Sequence, residues 1–127
     1  MANLAEGIRM SSNNILLIVQ ARMESTRLLG KVLLPLAGQP MILWLLSRLS
    51  RIPYPVVIAT PDTPVNAELA TLCARHGHTC HLVPGDPNDV LERFAKVTLM
   101  YPEANHIVRV GGDTPVLDPA VIEGLVG

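Results

Sequence analysis

Ile15-Leu-Leu-Ile-Val-Gln20 sets five apolar side chains in succession, leaving no polar position for a solvated face. A run this short, with β-branched members, reads as a strand covered on both sides. Three further runs follow at intervals: Val56-Val-Ile-Ala-Thr60, Cys80-His-Leu-Val83 and His106-Ile-Val-Arg-Val110. Between them the apolar period changes from two to near 3.6. Ile42, Leu45, Leu46 and Leu49 recur at helical spacing, with Pro40 in the first helical position and Pro53 as the stop. Val65, Leu69, Leu72 and Cys73 form a second stripe, opened by Thr63-Pro64 and closed by Gly77. Val90, Phe94 and Val97 form a third, ended by Pro102, and Asp118-Pro119 opens a fourth helix. Strand and helix therefore alternate. The expected fold is α/β, a mostly parallel sheet with helices on both faces.

The chain has 127 residues, enough for one domain with one core. Residues 1–14 are polar and unpatterned and read as a flexible N-terminal extension; residues 15–127 read as the folded unit. Aromatic residues make up 3% of the chain, so the core must be built from Leu, Val, Ile and Ala. The net charge of −1 argues against a nucleic-acid or membrane-surface binder, which needs an extended basic patch. Any anion site must be local. Two cysteines are too few for a disulfide framework, so a reducing, cytoplasmic location is the expectation.

In parallel sheets, ligands bind beyond the carboxyl ends of the strands. Two segments there carry unusual chemistry. Residues 21–39 form a long loop with turns after the first strand, and this loop holds Arg22, Arg27 and Lys31 with Ser25, Thr26 and Gly30. A nucleoside triphosphate brings about four negative charges, which cations and backbone N–H donors must meet. Arginine clamps phosphate oxygens in pairs, lysine acts as a point charge, and glycine admits close backbone approach. The spacing is not that of a Walker loop, which needs Gly where Ser25 stands and Ser or Thr where Val32 stands. On charge alone, three solvated loop cations explain the pattern equally well.

The second segment is Gly111-Gly-Asp113, directly after the fourth strand. A carboxylate held there, facing a triphosphate loop, suits a magnesium ion, which takes oxygen ligands from one or two carboxylates plus phosphates. Asp113 read only as turn chemistry is the competing account. Asp89 and Arg93, four apart on a helix, suggest either a surface ion pair or a role near a ligand. Arg109, in a buried strand, would orient Asp113 or snorkel to the sheet edge. His76, His78 and His81 with Cys73 and Cys80 match no zinc-ligand spacing, and a polar turn is the better account.

Ile18-Val-Gln-Ala-Arg-Met-x-Ser-Thr-Arg-Leu-x-Gly-Lys-Val-Leu33 closely resembles the N-terminal signature of the spore-coat polysaccharide cytidylyltransferase-like proteins. These are relatives of acylneuraminate and ketodeoxyoctonate cytidylyltransferases. Leu36-Ala-Gly-Gln-Pro-Met41, Asp89-Val-Leu-x-Arg-Phe94 and Val108-Arg-Val-x-Gly-Asp-x-Pro115 follow in the family's order. The resemblance implies a Rossmann-like nucleotide-diphospho-sugar transferase fold of which this chain carries the N-terminal half, with the C-terminal half missing. It implies CTP and a sugar acceptor as substrates, Mg2+ as cofactor, and a CMP-sugar and pyrophosphate as products, in surface polysaccharide synthesis. By the motif match, Arg22, Lys31 and Asp113 are the catalytic candidates, with Asp113 the metal ligand. Gln20, Ala21, Arg22, Ser25, Arg27, Gly30, Lys31 and Arg93 are the nucleotide-binding candidates. Glu24 and Leu29 stand where the family usually has Gly and Pro. The alternative expectation is a non-catalytic nucleotide-binding or scaffold fragment of the same fold. A halved sheet has an open edge, which leaves homodimerisation open.

Overall fold

The computed structural model describes residues 14–22, 35–36 and 38–111. Four strands build the main sheet: β1 (Ile15–Gln20), β4 (Val56–Pro61), β5 (Thr79–Val83) and β6 (His106–Gly111). The order across it is β5-β4-β1-β6, every pair parallel. Helices α1 (Met41–Leu49), α2 (Ala67–Arg75) and α3 (Val90–Leu99) join the strands. The fold is a parallel α/β sheet with helices on both faces.

β1 is a central strand, which explains why its sequence has no polar face. Ile15, Leu17, Val19 and Ala21 pack with Ile42, Leu45, Leu46 and Leu49 of α1 and with Leu69 and Cys73 of α2. Leu16 and Ile18 face the other way, onto Val57 and Ala59 of β4, Phe94 and Val97 of α3, and Tyr101. Residues 15–19 are each at most 1% exposed. Burying a side chain of this kind is worth about 1.5–3 kcal/mol. Truncating Leu17 to alanine would cost roughly 2–5 kcal/mol, because the sheet and two helices cannot close on the void.

The strand order locates the ligand crevice. From β1 the chain steps through β4 to β5 on one side, with α1 and α2 on one face. It then crosses by α3, on the other face, to β6 on the far side of β1. The direction of winding reverses between β1 and β6. In open α/β sheets the crevice lies outside the carboxyl ends at that reversal. Gln20 and Gly111 are register partners at that end.

Several expectations change in detail. The loop after β1 is not wholly irregular: β2 (Pro35–Leu36) and β3 (Gln39–Pro40) form a small antiparallel hairpin. Pro40 sits just before α1 instead of in its first position. Thr63-Pro64 opens a single 3-10 turn (Pro64–Asn66) that leads into α2, with the Asn66 amide donating to Thr63 Oγ1 at 2.8 Å. Val65 is 40% exposed and so leaves the second apolar stripe. β6 is an edge strand of the described sheet, where a buried strand was expected, and its Arg109 is exposed. Trp44 is half-buried. Gly77 does end α2: at φ +79 it lets the His78 N–H reach back to the Cys73 carbonyl at 2.8 Å. Residues 1–13, and the helix expected after Asp118, lie outside the described residues. No described helix is long and apolar enough to cross a membrane.

The histidines near Gly77 separate. His81 on β5 turns to the α3 face, where its Nε2 lies 2.6 Å from the Tyr101 hydroxyl. Among the described residues no three His, Cys, Asp or Glu side chains group as metal ligands. Cys73 and Cys80 are free thiols on the opposite face and touch each other. Burial pushes the His81 pKa below its ordinary 6.5, so the ring is held neutral against the Tyr101 hydroxyl in the fold. Burial, and then the nearby Glu103 charge, push the Tyr101 hydroxyl up to about 12.

This pair predicts a pH effect. The unfolded chain binds a proton at His81 near pH 6.5 while the folded chain resists it, so the stabilisation is complete above 6.5 and declines as pH falls below it. Urea midpoints should drop between pH 7.5 and 5.5, and His81→Gln should shrink that drop. Tyr101→Phe should cost about 1–3 kcal/mol at pH 7.5, since it leaves a buried ring nitrogen unsatisfied.

Candidate functional site

The alternation of β1 decides which of its residues reach the crevice. Leu16 and Ile18 face α3, so Gln20 and Arg22 continue on that face at the carboxyl end. The Gln20 side chain keeps a fully buried carboxamide oxygen that meets no hydrogen-bond donor among the described residues. Arg22 extends to the turn between β5 and α3. Its Nη1 donates to the Pro87 carbonyl at 2.8 Å and to Asn88 Oδ1 at 3.2 Å.

Arg93 reaches the same carbonyl from α3, its Nη2 donating to Pro87 O at 2.5 Å. The residue is 3% exposed. Two guanidinium groups therefore share one neutral acceptor, which brings their donor nitrogens within about 5 Å of each other. Like charges that close repel. A carbonyl dipole offsets part of this, and a phosphate oxygen placed against the pair would offset far more. The pair is a small, fixed region of positive potential at the mouth of the crevice, in a chain whose total charge is −1.

The turn itself is tightly built. The Asn88 N–H donates to Asp86 Oδ1 at 2.9 Å and the Asp89 N–H to the Asp86 carbonyl at 3.0 Å. Asp89 caps α3 by accepting from the Glu92 N–H at 2.9 Å. Asp89 and Arg93 thus act at different points, one on the helix end and one on the turn. Lys96 ties the turn's start, donating to the Pro84 carbonyl at 2.8 Å while pairing with Glu92 at 2.7 Å. Gly85, at φ +130, lies where a Cβ would come 2.8 Å from Glu92 Oε1. A side chain there would have to displace the Glu92 carboxylate and would be strained by the left-handed backbone.

Arg109 lies on the same sheet face, its guanidinium 5.4 Å from the Phe94 ring centroid. That contact uses the cation on an aromatic face. Thr60, at the end of β4, has a buried hydroxyl without a partner among the described residues, but it faces α1 and α2. A cavity of about 330 Å3 lined by Pro40, Glu68, Thr71, Leu72 and Arg75 also lies on that side, away from Arg22 and Arg93.

Of the nucleotide-binding candidates, the structure brings Gln20, Arg22 and Arg93 to one rim of the sheet. Ala21 is buried in the first core, its N–H donating to the Ala59 carbonyl at 3.2 Å; its contribution is to the backbone path. Ser25, Arg27, Gly30, Lys31 and Asp113, with Glu24 and Leu29, lie outside the described residues. The sequence reading gave residues 85–88 no role beyond a turn. Its missed contributors are the Pro87 carbonyl and the Asn88 amide. The available signal was Asp86-Pro-Asn88, a rigid turn between a strand's carboxyl end and a helix start.

The cytidylyltransferase family profile matches residues 16–127. A 3-deoxy-manno-octulosonate cytidylyltransferase of Synechococcus elongatus is 36% identical over 114 residues, which cover 88% of this chain and 45% of that protein. The spore coat polysaccharide biosynthesis protein SpsF of Bacillus subtilis is 35% identical over 120 residues, 90% of this chain and 49% of that protein. The chain thus spans about half the length of these curated relatives. Among solved structures, a cytidylyltransferase from Leptospira borgpetersenii superposes with a TM-score of 0.80 at 28% identity, over 93% of this chain and 48% of the other. A CMP:2-keto-3-deoxy-manno-octonic acid synthetase solved with CTP superposes with a TM-score of 0.79 at 26% identity, over 89% and 46%. The profile match runs from inside β1 to the last residue, and on that ground the chain belongs to the cytidylyltransferase family.

Proposed function

We propose that this chain is the nucleotide-binding half of a cytidylyltransferase that activates a sugar as its CMP derivative. The observation that carries the reading is the convergence of Arg22 and Arg93 on the Pro87 carbonyl, at the crevice where β1 and β6 end together. The relatives named for octulosonate point to an acidic sugar as acceptor, and SpsF points to surface polysaccharide synthesis. The reaction joins a sugar hydroxyl oxygen to the α-phosphorus of CTP. The bond from that phosphorus to the bridging oxygen breaks, pyrophosphate leaves, and the hydroxyl proton passes to solvent.

The chain's own residues act by placement and charge. Arg22, with Arg27 and Lys31 from the same loop, would meet the triphosphate, and Ser25 and Gly30 would shape the backbone around it. Arg93 adds positive potential from below. The buried Gln20 oxygen would accept from a donor on the nucleotide base. Asp113 would hold Mg2+: the chain leaves β6 at Gly111 beside Gln20, and a carboxylate two residues on suits a hard, oxygen-seeking ion. When bound, that ion neutralises charge on the phosphates. Free Cys73 and Cys80 fit a cytoplasmic place of action.

A second reading is a non-catalytic nucleotide-binding unit. Glu24 favours it, because a carboxylate in the phosphate loop opposes the triphosphate. Titration calorimetry with CTP, GTP and UTP, with and without magnesium, separates the two. The proposal expects magnesium-dependent binding of CTP over the other two; no heat with any nucleotide supports the scaffold reading, and preference for GTP overturns the base assignment. Lys31→Ala should weaken CTP by more than cytidine, whereas equal losses would make Lys31 structural. Glu24→Gly should tighten CTP binding. Unchanged affinity would show that Glu24 points away from the phosphates.

A further inference from the structure

Arg22 stands two residues past the end of β1, where the ladder that fixed Gln20 has stopped. A long exposed side chain there would sample many rotamers, and a phosphate would have to freeze it on arrival. In this structure it is already held. Both acceptors from the turn, the Pro87 carbonyl and Asn88 Oδ1, take the same nitrogen, Nη1. That uses both Nη1 hydrogens. The other edge of the guanidinium, Nε and Nη2, makes no hydrogen bond among the described residues. Two parallel donors on that edge match two oxygens of one phosphate.

The holder is stiffer than what it holds. Asn88 is pinned at its own N–H by Asp86, Pro87 has a fixed φ, and Arg93 braces the Pro87 carbonyl from inside the protein. Only two side-chain torsions separate the Asn88 backbone from its amide oxygen. We propose that Asn88 is a positioning residue: it turns the Arg22 guanidinium so that its Nε–Nη2 edge meets the triphosphate. This rests on the nucleotide-binding reading above and adds a residue that carries no charge and needs no contact with the nucleotide.

The test uses the full chain and four variants: Asn88→Ala, Asn88→Asp, Arg22→Ala, and Arg22→Ala with Asn88→Ala. Asn88→Ala should weaken CTP by about ten- to a hundredfold, the loss of one hydrogen bond to a charged donor. It should leave cytidine affinity and the melting temperature unchanged. In the Arg22→Ala background it should have no further effect. Without nucleotide, phenylglyoxal should modify Arg22 faster in Asn88→Ala than in the wild type, and Asn88→Asp, which keeps an acceptor oxygen, should restore the slow rate. The inference is overturned if CTP binds the wild type and Asn88→Ala equally, or if the Asn88 and Arg22 losses add. It is also overturned if Asn88→Ala lowers the melting temperature and weakens cytidine as much as CTP. If the wild type binds no CTP, the nucleotide reading fails, and the modification rates decide the positioning role separately: equal rates reject it.

Discussion

One carbonyl oxygen, that of Pro87, ties three parts of the molecule together: the segment leaving β1, the turn after β5, and helix α3. The strands that carry these parts are not neighbours, since β4 lies between β1 and β5. No backbone ladder could join their ends. Two charged side chains do so instead, and this is costly, because both bring the same sign to the same point. Hydrogen bonds from charged donors are worth roughly 1.5–3 kcal/mol each, enough to hold the arrangement against the repulsion that remains. The outcome is a rim with positive potential fixed in place before any ligand arrives.

Everything below that rim supports its placement. β1 is buried on both faces, so its register with β4 and β6 is set by packing on two sides. A one-residue slip would exchange the two core faces and turn Gln20 and Arg22 away from α3. The winding reversal between β1 and β6 then leaves an open crevice at that edge. The fold thus converts an apolar run of five residues into the position of an arginine further along the chain. The related structure solved with CTP shares this architecture at a TM-score of 0.79.

The fold was largely legible because it depends on patterns that sequence records directly. Ile15–Gln20 announces a doubly covered strand, Gly77 a helix end, and Pro53 a stop. Less visible were features set by neighbours. Pro35–Leu36 and Gln39–Pro40 pair as a hairpin although prolines usually discourage strands, because an isolated two-stranded edge leaves their missing donors on its outer side. The strand of Arg109 looked buried because its residues are mostly apolar, but β6 is an edge strand here and the Arg109 side chain lies over Phe94. At the site, the cations were legible as residue types and their meeting point was not. Pro87 takes part through its carbonyl, which every residue has, so composition could not single it out. Asn88 looked like ordinary turn chemistry, and only its distance to Arg22 separates it from that role.

The central claim concerns where a triphosphate sits against this preset rim. A crystal structure of the chain with CTP and magnesium addresses it most directly. The account predicts phosphate oxygens within hydrogen-bond distance of Arg22 Nε and Nη2, with the Pro87 carbonyl still shared by Arg22 and Arg93. It also predicts the metal on Asp113. Phosphates bound on another surface, or Arg22 swung off the Pro87 carbonyl to reach them, would contradict it.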